Sequence, residues 1–160
     1  MRIEVITSGT LCLSLQWENC NVAAICLEWA GPEAPSGPGP TSSHGRALAQ
    51  ALARYLAGEH VDWPELPLDL EGLTAFRREV LETLSREVRH GQIITYGRLA
   101  ALVGRPGAAR AVGRVMATNP WPLVVPCHRV IGTGGILTGF GPGLEMKKFL
   151  LDLERTPQSG

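Results

Sequence analysis

The stretch of this sequence best equipped for chemistry is Pro126-Cys127-His128-Arg129-Val130. The reactive form of cysteine is the thiolate, which neighbouring cations favour, so Cys127 beside a histidine and amid arginines is a candidate nucleophile. Pro120, Pro122 and Pro126 stiffen the approach to it, and the apolar Leu123-Val124-Val125 delivers it from the interior. Adjacent side chains of an extended segment point to opposite faces. His128 therefore reaches Cys127 directly only through a turn, or indirectly through a bridging water. Cys12, Cys20 and Cys26 lack paired metal-ligand spacing, and His44, His60 and His90 do not complete a set with them, so neither a metal nor a cofactor is expected. Gly139-Phe140-Gly141-Pro142-Gly143 lacks the fingerprint spacing of a nucleotide-binding loop.

The segments that must position these residues differ in charge. Residues 1–84 carry 5 Lys+Arg against 11 Asp+Glu, and residues 85–160 carry 10 against 4, within a chain of zero net charge. No acidic residue lies between Glu87 and Glu145, whereas Arg89, Arg98, Arg105, Arg110, Arg114 and Arg129 all do, so an anionic partner would meet the C-terminal half. There Thr74 can cap a helix whose apolar stripe is Phe76, Val80, Leu84 and Val88, with Arg77, Arg78, Glu82 and Arg86 facing water. An extended link, Ile93 to Thr95, leads into a two-turn helix from Tyr96 closed by Gly104, then a turn at Arg105-Pro106-Gly107 and a second helix, Ala108 to Thr118. Two short helices joined by a tight turn make a helix-turn-helix candidate. The small residues Ala108, Ala109, Ala111 and Gly113 of its second helix let a backbone come close, whether of a nucleic acid or of a neighbouring helix.

The N-terminal half reads as a three-stranded antiparallel meander over residues 2–7, 11–17 and 22–29, with turns at Ser8-Gly9 and Glu18-Asn19. A Pro/Gly/Ser loop (Gly31 to Ser43), a helix (His44 to Gly58) and an extended stretch (Val61 to Leu70) follow. Domains are expected over residues 1–71 and 72–160. With 160 residues, 44% hydrophobic and 19% charged, the chain suits one compact unit or two small ones, not disorder. No apolar run approaches the ~18 residues of a membrane-spanning helix, and Met1-Arg2-Ile3-Glu4 places an acid where a signal peptide is apolar. A cytoplasmic protein with reduced cysteines and no membrane association is expected.

Pro126-Cys127-His128-Arg129-Val130 also resembles the active-site signature of the O6-alkylguanine-DNA alkyltransferases, the methylated-DNA–protein-cysteine methyltransferases. The match extends to Thr95-Tyr96-Gly97-Arg98-Leu99-Ala100, Ala109-Arg110-Ala111-Val112-Gly113, Met116, Asn119-Pro120, Gly135, Gly139-Phe140-Gly141 and Lys147 to Glu154, covering residues 73 to 154. The resemblance implies a small ribonuclease-H-like α/β N-terminal domain of antiparallel strands plus a helix. A mainly α, winged-helix-like C-terminal domain with the helix-turn-helix would follow. It also implies irreversible, single-turnover transfer of the alkyl group from O6-alkylguanine in double-stranded DNA to Cys127, by a monomer without a cofactor, with O4-alkylthymine as a further candidate substrate.

Within that likeness His128 is the base that takes the thiol proton through a water, Glu154 orients and charges His128, and Asn119 holds the turn. Tyr96 donates to N3 of the leaving guanine. A buried O6 substituent requires the base to be flipped out. Arg110 would fill the hole in the stack, and Ala109, Ala111 and Gly113 would allow close approach to the minor groove. Met116, the backbone of Cys127 and Val130, and the Gly132 to Gly143 loop with Phe140 and Gly141 would line the pocket. Phe140 replaces the tyrosine of many relatives. Pro142 stiffens the lid and puts acceptance of bulky alkyl groups in question. The alternative is a non-catalytic module recognising alkylated DNA, against which the presence of Cys127 speaks.

Overall fold

The computed structural model describes residues 1–155, which divide into two compact units, Met1–Asp69 and Leu70–Arg155. Together they form an α/β mixture of one three-stranded antiparallel sheet, a two-stranded parallel pair and five α-helices among the described residues.

In the first unit β1 (Arg2–Ser8), β2 (Leu11–Glu18) and β3 (Asn21–Trp29) pair in sequence order, joined by two-residue turns. Gly9 and Asn19 open those turns at φ +52 and +55, a region that tight hairpins require and that glycine and asparagine tolerate best. Leu11, Leu13, Leu15, Val22, Ile25 and Leu27 supply the buried face, onto which α1 (Ser43–Leu56) brings Leu48, Leu52 and Tyr55. The expected extended stretch at 61–70 pairs with the sheet through a bridge between Leu68 and Val22, and Pro64 and Pro67, which lack ladder donors, keep it from forming a strand.

Glu4 is the buried anchor of this unit. Its carboxylate accepts hydrogen bonds from the backbone N–H of Thr41 (2.6 Å) and Ser42 (2.8 Å) and from the Ser42 hydroxyl (2.8 Å), just ahead of α1. Burial pushes its pKa up, but the bonds from Ser42 and Thr41 outweigh this and hold it below the ordinary 4.5. Its stabilisation is therefore present above pH 4.5 and lost as the pH falls through the lowered value. Glu4→Gln is expected to cost about 1–3 kcal/mol at pH 7, as loss of charged hydrogen bonds does, with the gap to the parent closing in acid. Urea unfolding at pH 7 and pH 4 measures both; equal gaps would make Glu4 a mere space-filler.

In the second unit α2 (Ala75–Glu87), capped by the Thr74 hydroxyl, buries Val80, Leu81, Thr83 and Leu84. Two expected features of this helix come out differently. Phe76 is half-buried, under the Arg105 guanidinium 5.5 Å from its ring centroid. Arg77, expected to face water, donates from Nη2 to the carbonyl (3.1 Å) and hydroxyl (3.2 Å) of Thr118. Thr118 ends α4 (Ala109–Ala117), and a cation there satisfies a helix-end carbonyl that would otherwise lack a partner. α3 (Tyr96–Leu102) and α4 pack together as a helix-turn-helix pair. α5 (Leu144–Arg155) buries Met146, Lys147, Leu150, Leu151 and Glu154, and two of those five are charged.

Candidate active site

Two short strands, β4 (Ile94–Thr95) and β5 (Val130–Ile131), pair in parallel with Ile94 opposite Val130. The pairing sets the stretch that leads into α3 beside the segment that follows the 3₁₀ turn at Cys127–Arg129. Lys147 links Tyr96 to Cys127, far apart in sequence: its Nζ lies 5.9 Å from the Tyr96 ring centroid and its charge acts on the thiol. The backbone does turn at Cys127–Arg129, yet no direct hydrogen bond joins Cys127 to His128 Nδ1 among the described residues.

The approach to that turn is held tightly. Asn119 spans it, its Nδ2 donating to the Val125 carbonyl and its Oδ1 accepting from the Trp121 N–H, both at 3.0 Å. Inside this clasp Leu123 is fully buried at φ +77. A side chain held in the left-handed region costs about 1–3 kcal/mol and persists only where the surroundings over-determine it.

His128 Nε2 lies 2.5 Å from Glu154 Oε2, and Arg129 Nε donates to Glu154 Oε1 at 2.7 Å, all three groups being buried. Arg129 Nη1 donates to the Val88 carbonyl at 3.0 Å. The structure thus corrects the placing of Arg129 among arginines available to an anionic partner: a guanidinium sealed from water is committed to Glu154. Arg89, Arg98, Arg105, Arg110 and Arg114 remain exposed. His128 Nδ1 is buried without a hydrogen-bond partner among the described residues, which leaves it free to exchange a proton.

The electrostatics of the thiol also differ from expectation. Burial pushes the Cys127 pKa up to about 11, against a smaller opposing pull from the Asn119 side chain and the Lys147 ammonium. The flanking arginines do not make it a resting thiolate, since Arg129 is paired with Glu154 and the thiol is buried. Burial likewise lowers His128 below 6.5, opposed by the Glu154 hydrogen bond and helped by the charges of Arg129 and Lys147. For Glu154 burial works upward, but the hydrogen bond of His128 and the charge of Arg129 prevail and hold it well below the usual carboxylate range. At neutral pH the resting site is a thiol, a neutral imidazole, a carboxylate and a guanidinium.

Beside it lies a groove of about 490 Å³ lined by Tyr96, Gly97, Ala109, Arg110, Gly113, Ala117, Thr133, Thr138 and Gly139. Of the residues expected to form the substrate or DNA face, Ala109, Arg110 and Gly113 line it, as does the expected proton donor Tyr96, whereas Cys127, whose backbone is an expected part of the wall, does not. Ala111 is half-buried, Gly141 exposed, and Met116 and Val130 buried, none of them in the lining. Phe140 is buried, its ring edge-on to His128 at 6.4 Å between centroids. A Cβ on Gly113 would meet only the Tyr96 ring of α3, at 3.9 Å, an ordinary contact, so packing against that helix does not require a glycine there. Sequence reasoning missed Thr138, which shares a 2.7 Å hydrogen bond with the Tyr96 hydroxyl, and the roles of Arg129 and Lys147. A signal existed for α5: Lys147 and Glu154 fall at i and i+7 on the same stripe as Leu150 and Leu151, and charged groups on an apolar stripe are rarely idle.

Among the described residues, no group of three or more His, Cys, Asp and Glu could hold a metal ion, none of the four cysteines is in a disulfide, and no helix is long and apolar enough to cross a membrane.

A buried cysteine and a buried His–Glu pair thus lie in the same unit as a helix-turn-helix pair. Comparison takes this further. The profile of the 6-O-methylguanine DNA methyltransferase DNA binding domain matches residues 75–156, and the chain belongs to that family. It is 46% identical to a methylated-DNA–protein-cysteine methyltransferase of Haemophilus influenzae over 67% of this chain and 59% of that one. It is 47% identical to a protein of the same name from Mycolicibacterium paratuberculosis over 76% and 73%. The match thus spans less than two thirds of the Haemophilus relative. The crystal structure of Mycobacterium tuberculosis OGT in complex with DNA superposes with a TM-score of 0.77 at 35% identity, covering 96% of this chain and 92% of that one.

Proposed function

We propose that this protein repairs DNA by transferring the alkyl group of O6-alkylguanine to its own Cys127, once per molecule. The observation that carries this is the buried Cys127 turn backed by the His128–Glu154 pair, adjoining a groove with small residues and an exposed arginine. It accounts for the cysteine better than a recognition module that lacks chemistry.

In the reaction the thiol proton passes through water to His128 Nδ1, and the imidazolium is stabilised by Glu154. Deprotonating a thiol of pKa about 11 at pH 7 costs about 5 kcal/mol, so the reactive ion pair is rare at rest and Glu154 has a real barrier to lower. The sulfur attacks the alkyl carbon in line, the C–S bond forms as C–O6 breaks, and the electron pair goes to the purine. Tyr96 donates a hydrogen bond to N3 as that charge develops. Asn119 keeps the turn rigid. A thioether has no hydrolytic exit, so turnover ends at one.

On the DNA side, α4 enters the minor groove with Ala109, Ala111 and Gly113 against the backbone, and Arg110 fills the gap left by the flipped base. Met116 and Val130 support the pocket from behind, and Phe140 and Gly141 belong to its lid. The first unit is read as a ribonuclease-H-like domain, ending near residue 71, and the second as winged-helix-like. Cys127, His128, Glu154 and Tyr96 come from one unit of one chain, which supports a monomer; action inside the cell and without a cofactor belongs to the same reading.

The test is intact-protein mass after incubation with duplex DNA containing O6-methylguanine. The expected gain is one methyl group, on Cys127, with no further product in excess DNA. Cys127→Ala is expected to show no gain while binding DNA as the parent does, because the thiol makes no phosphate contact. Turnover beyond one equivalent would overturn the proposal.

A further inference from the structure

The loop between Gly132 and Gly143 is fastened to the rest of the unit at Thr138. Its hydroxyl shares a 2.7 Å hydrogen bond with Tyr96 Oη, and its carbonyl accepts one from Lys147 Nζ at 3.0 Å. The same buried ammonium donates to the Val130 carbonyl at 2.6 Å, so the backbone of Thr138 is tied to β5 next to the Cys127 turn. Thr138 and Tyr96 both line the groove. The two attachments differ in kind: the carbonyl holds the loop, whereas the hydroxyl touches only the phenol among the described groups.

We propose that Thr138 is a positioning residue for the leaving group: its hydroxyl donates to Tyr96 Oη and so turns the phenolic proton toward the guanine. This rests on the reading of Tyr96 as the donor to N3. A phenol carries one proton and can accept as well as donate. With Thr138 as its partner and no base present, the more acidic phenol donates to the alcohol. A flipped guanine presents N3, a lone pair that only a proton can satisfy, and the arrangement satisfying every group runs Thr138 O–H to Tyr96 O–H to N3. The Thr138–Tyr96 bond survives with its direction reversed. Donation into the phenolic oxygen makes its own proton a stronger donor, since hydrogen bonds in a chain polarise one another. The gain is largest when the C–O6 bond has begun to break and negative charge reaches N3, so it favours the transition state over the bound substrate. Lys147 keeps the hydroxyl from swinging away with its loop.

The experiment compares single-turnover alkyl-transfer rates on duplexes carrying O6-methylguanine or O6-methyl-3-deazaguanine, which has C–H in place of N3. The parent should prefer the N3-bearing base. In Thr138→Val, which keeps the shape and loses the hydroxyl, that preference should fall by about two- to tenfold, the range expected for one hydrogen bond. Thr138→Ser should restore it, and in a Tyr96→Phe background Thr138→Val should not lower it further. If Thr138→Val slows both bases equally, the residue only holds the loop and the proposal falls. If Tyr96→Phe itself leaves the preference intact, the reading of Tyr96 fails. A collapse in Tyr96→Phe but not in Thr138→Val would overturn the Thr138 proposal alone.

Discussion

Glu154→Gln is expected to slow alkyl transfer by about 10²–10⁴-fold, the usual worth of a general base whose charged form has lost its support. Considered only as the partner of His128, Glu154 would be replaceable by its near-isostere without harm to folding. The structure changes that expectation, because Oε1 also takes the buried Arg129 guanidinium at 2.7 Å. The amide leaves Arg129 as a buried cation without a counter-ion, and removing one partner of a buried pair costs about 3–5 kcal/mol. Loss of both activity and stability is the expected result, the first measured at a urea concentration where the variant is still folded, the second by its unfolding midpoint. The pH profile separates the two. In the parent, thiol plus neutral imidazole and thiolate plus imidazolium hold the same number of protons. The transfer rate should therefore be flat between the lowered pKa of His128, below 6.5, and the raised pKa of Cys127, about 11. It should fall in acid, as His128 is protonated before it can accept from the thiol. In Glu154→Gln the amide oxygen stays on Arg129 and the amide N–H faces His128 Nε2, which puts the imidazole proton on Nδ1. The thiol must then lose its proton to solvent, and the rate should climb about tenfold per pH unit through the same range. A flat profile at the parent's rate would show that Glu154 serves the fold alone.

For Arg110→Ala the expected loss is specific to duplex DNA. Arg110 is exposed on α4 and lines the groove, as does Gly113. Arg114 is exposed one turn further along the same helix and does not line it. If these arginines only attract phosphate, replacing either should weaken binding and shallow the salt dependence alike. If Arg110 fills the vacated stack, its loss returns part of the few kcal/mol that unpairing a base costs, and transfer from a matched duplex should slow by roughly 10- to 100-fold. A mismatched duplex, whose lesion is cheaper to unstack, should be slowed less. The free O6-alkylguanine base, which needs no flipping, should react as it does with the parent, and Arg114→Ala should show no such ordering. Equal slowing of Arg110→Ala on all three substrates would place Arg110 in the fold or the pocket wall.

Much of this protein can be read from local chemistry. Short-range rules depend only on neighbours along the chain, so the Thr74 cap, the strand meander with its Gly9 and Asn19 turns, the two short helices and the proline-stiffened approach to Cys127 are all visible in order. The Pro-Cys-His-Arg-Val run singles out the thiol for the same reason. Burial and pairing across space are not local. Arg129 reads as one more basic residue until α5, 25 positions later, lays Glu154 against it. Cys127 reads as an activated thiolate until burial in the fold raises its pKa to about 11. Thr138 reads as a loop threonine until the β4–β5 pairing sets Tyr96 within 2.7 Å of it. The sequence by itself determined which groups could react and which segments would be helix or strand. Only the tertiary structure decided their charge states and partners, because the cost of a charge depends on the water and counter-charges around it, and these are supplied by residues remote in sequence.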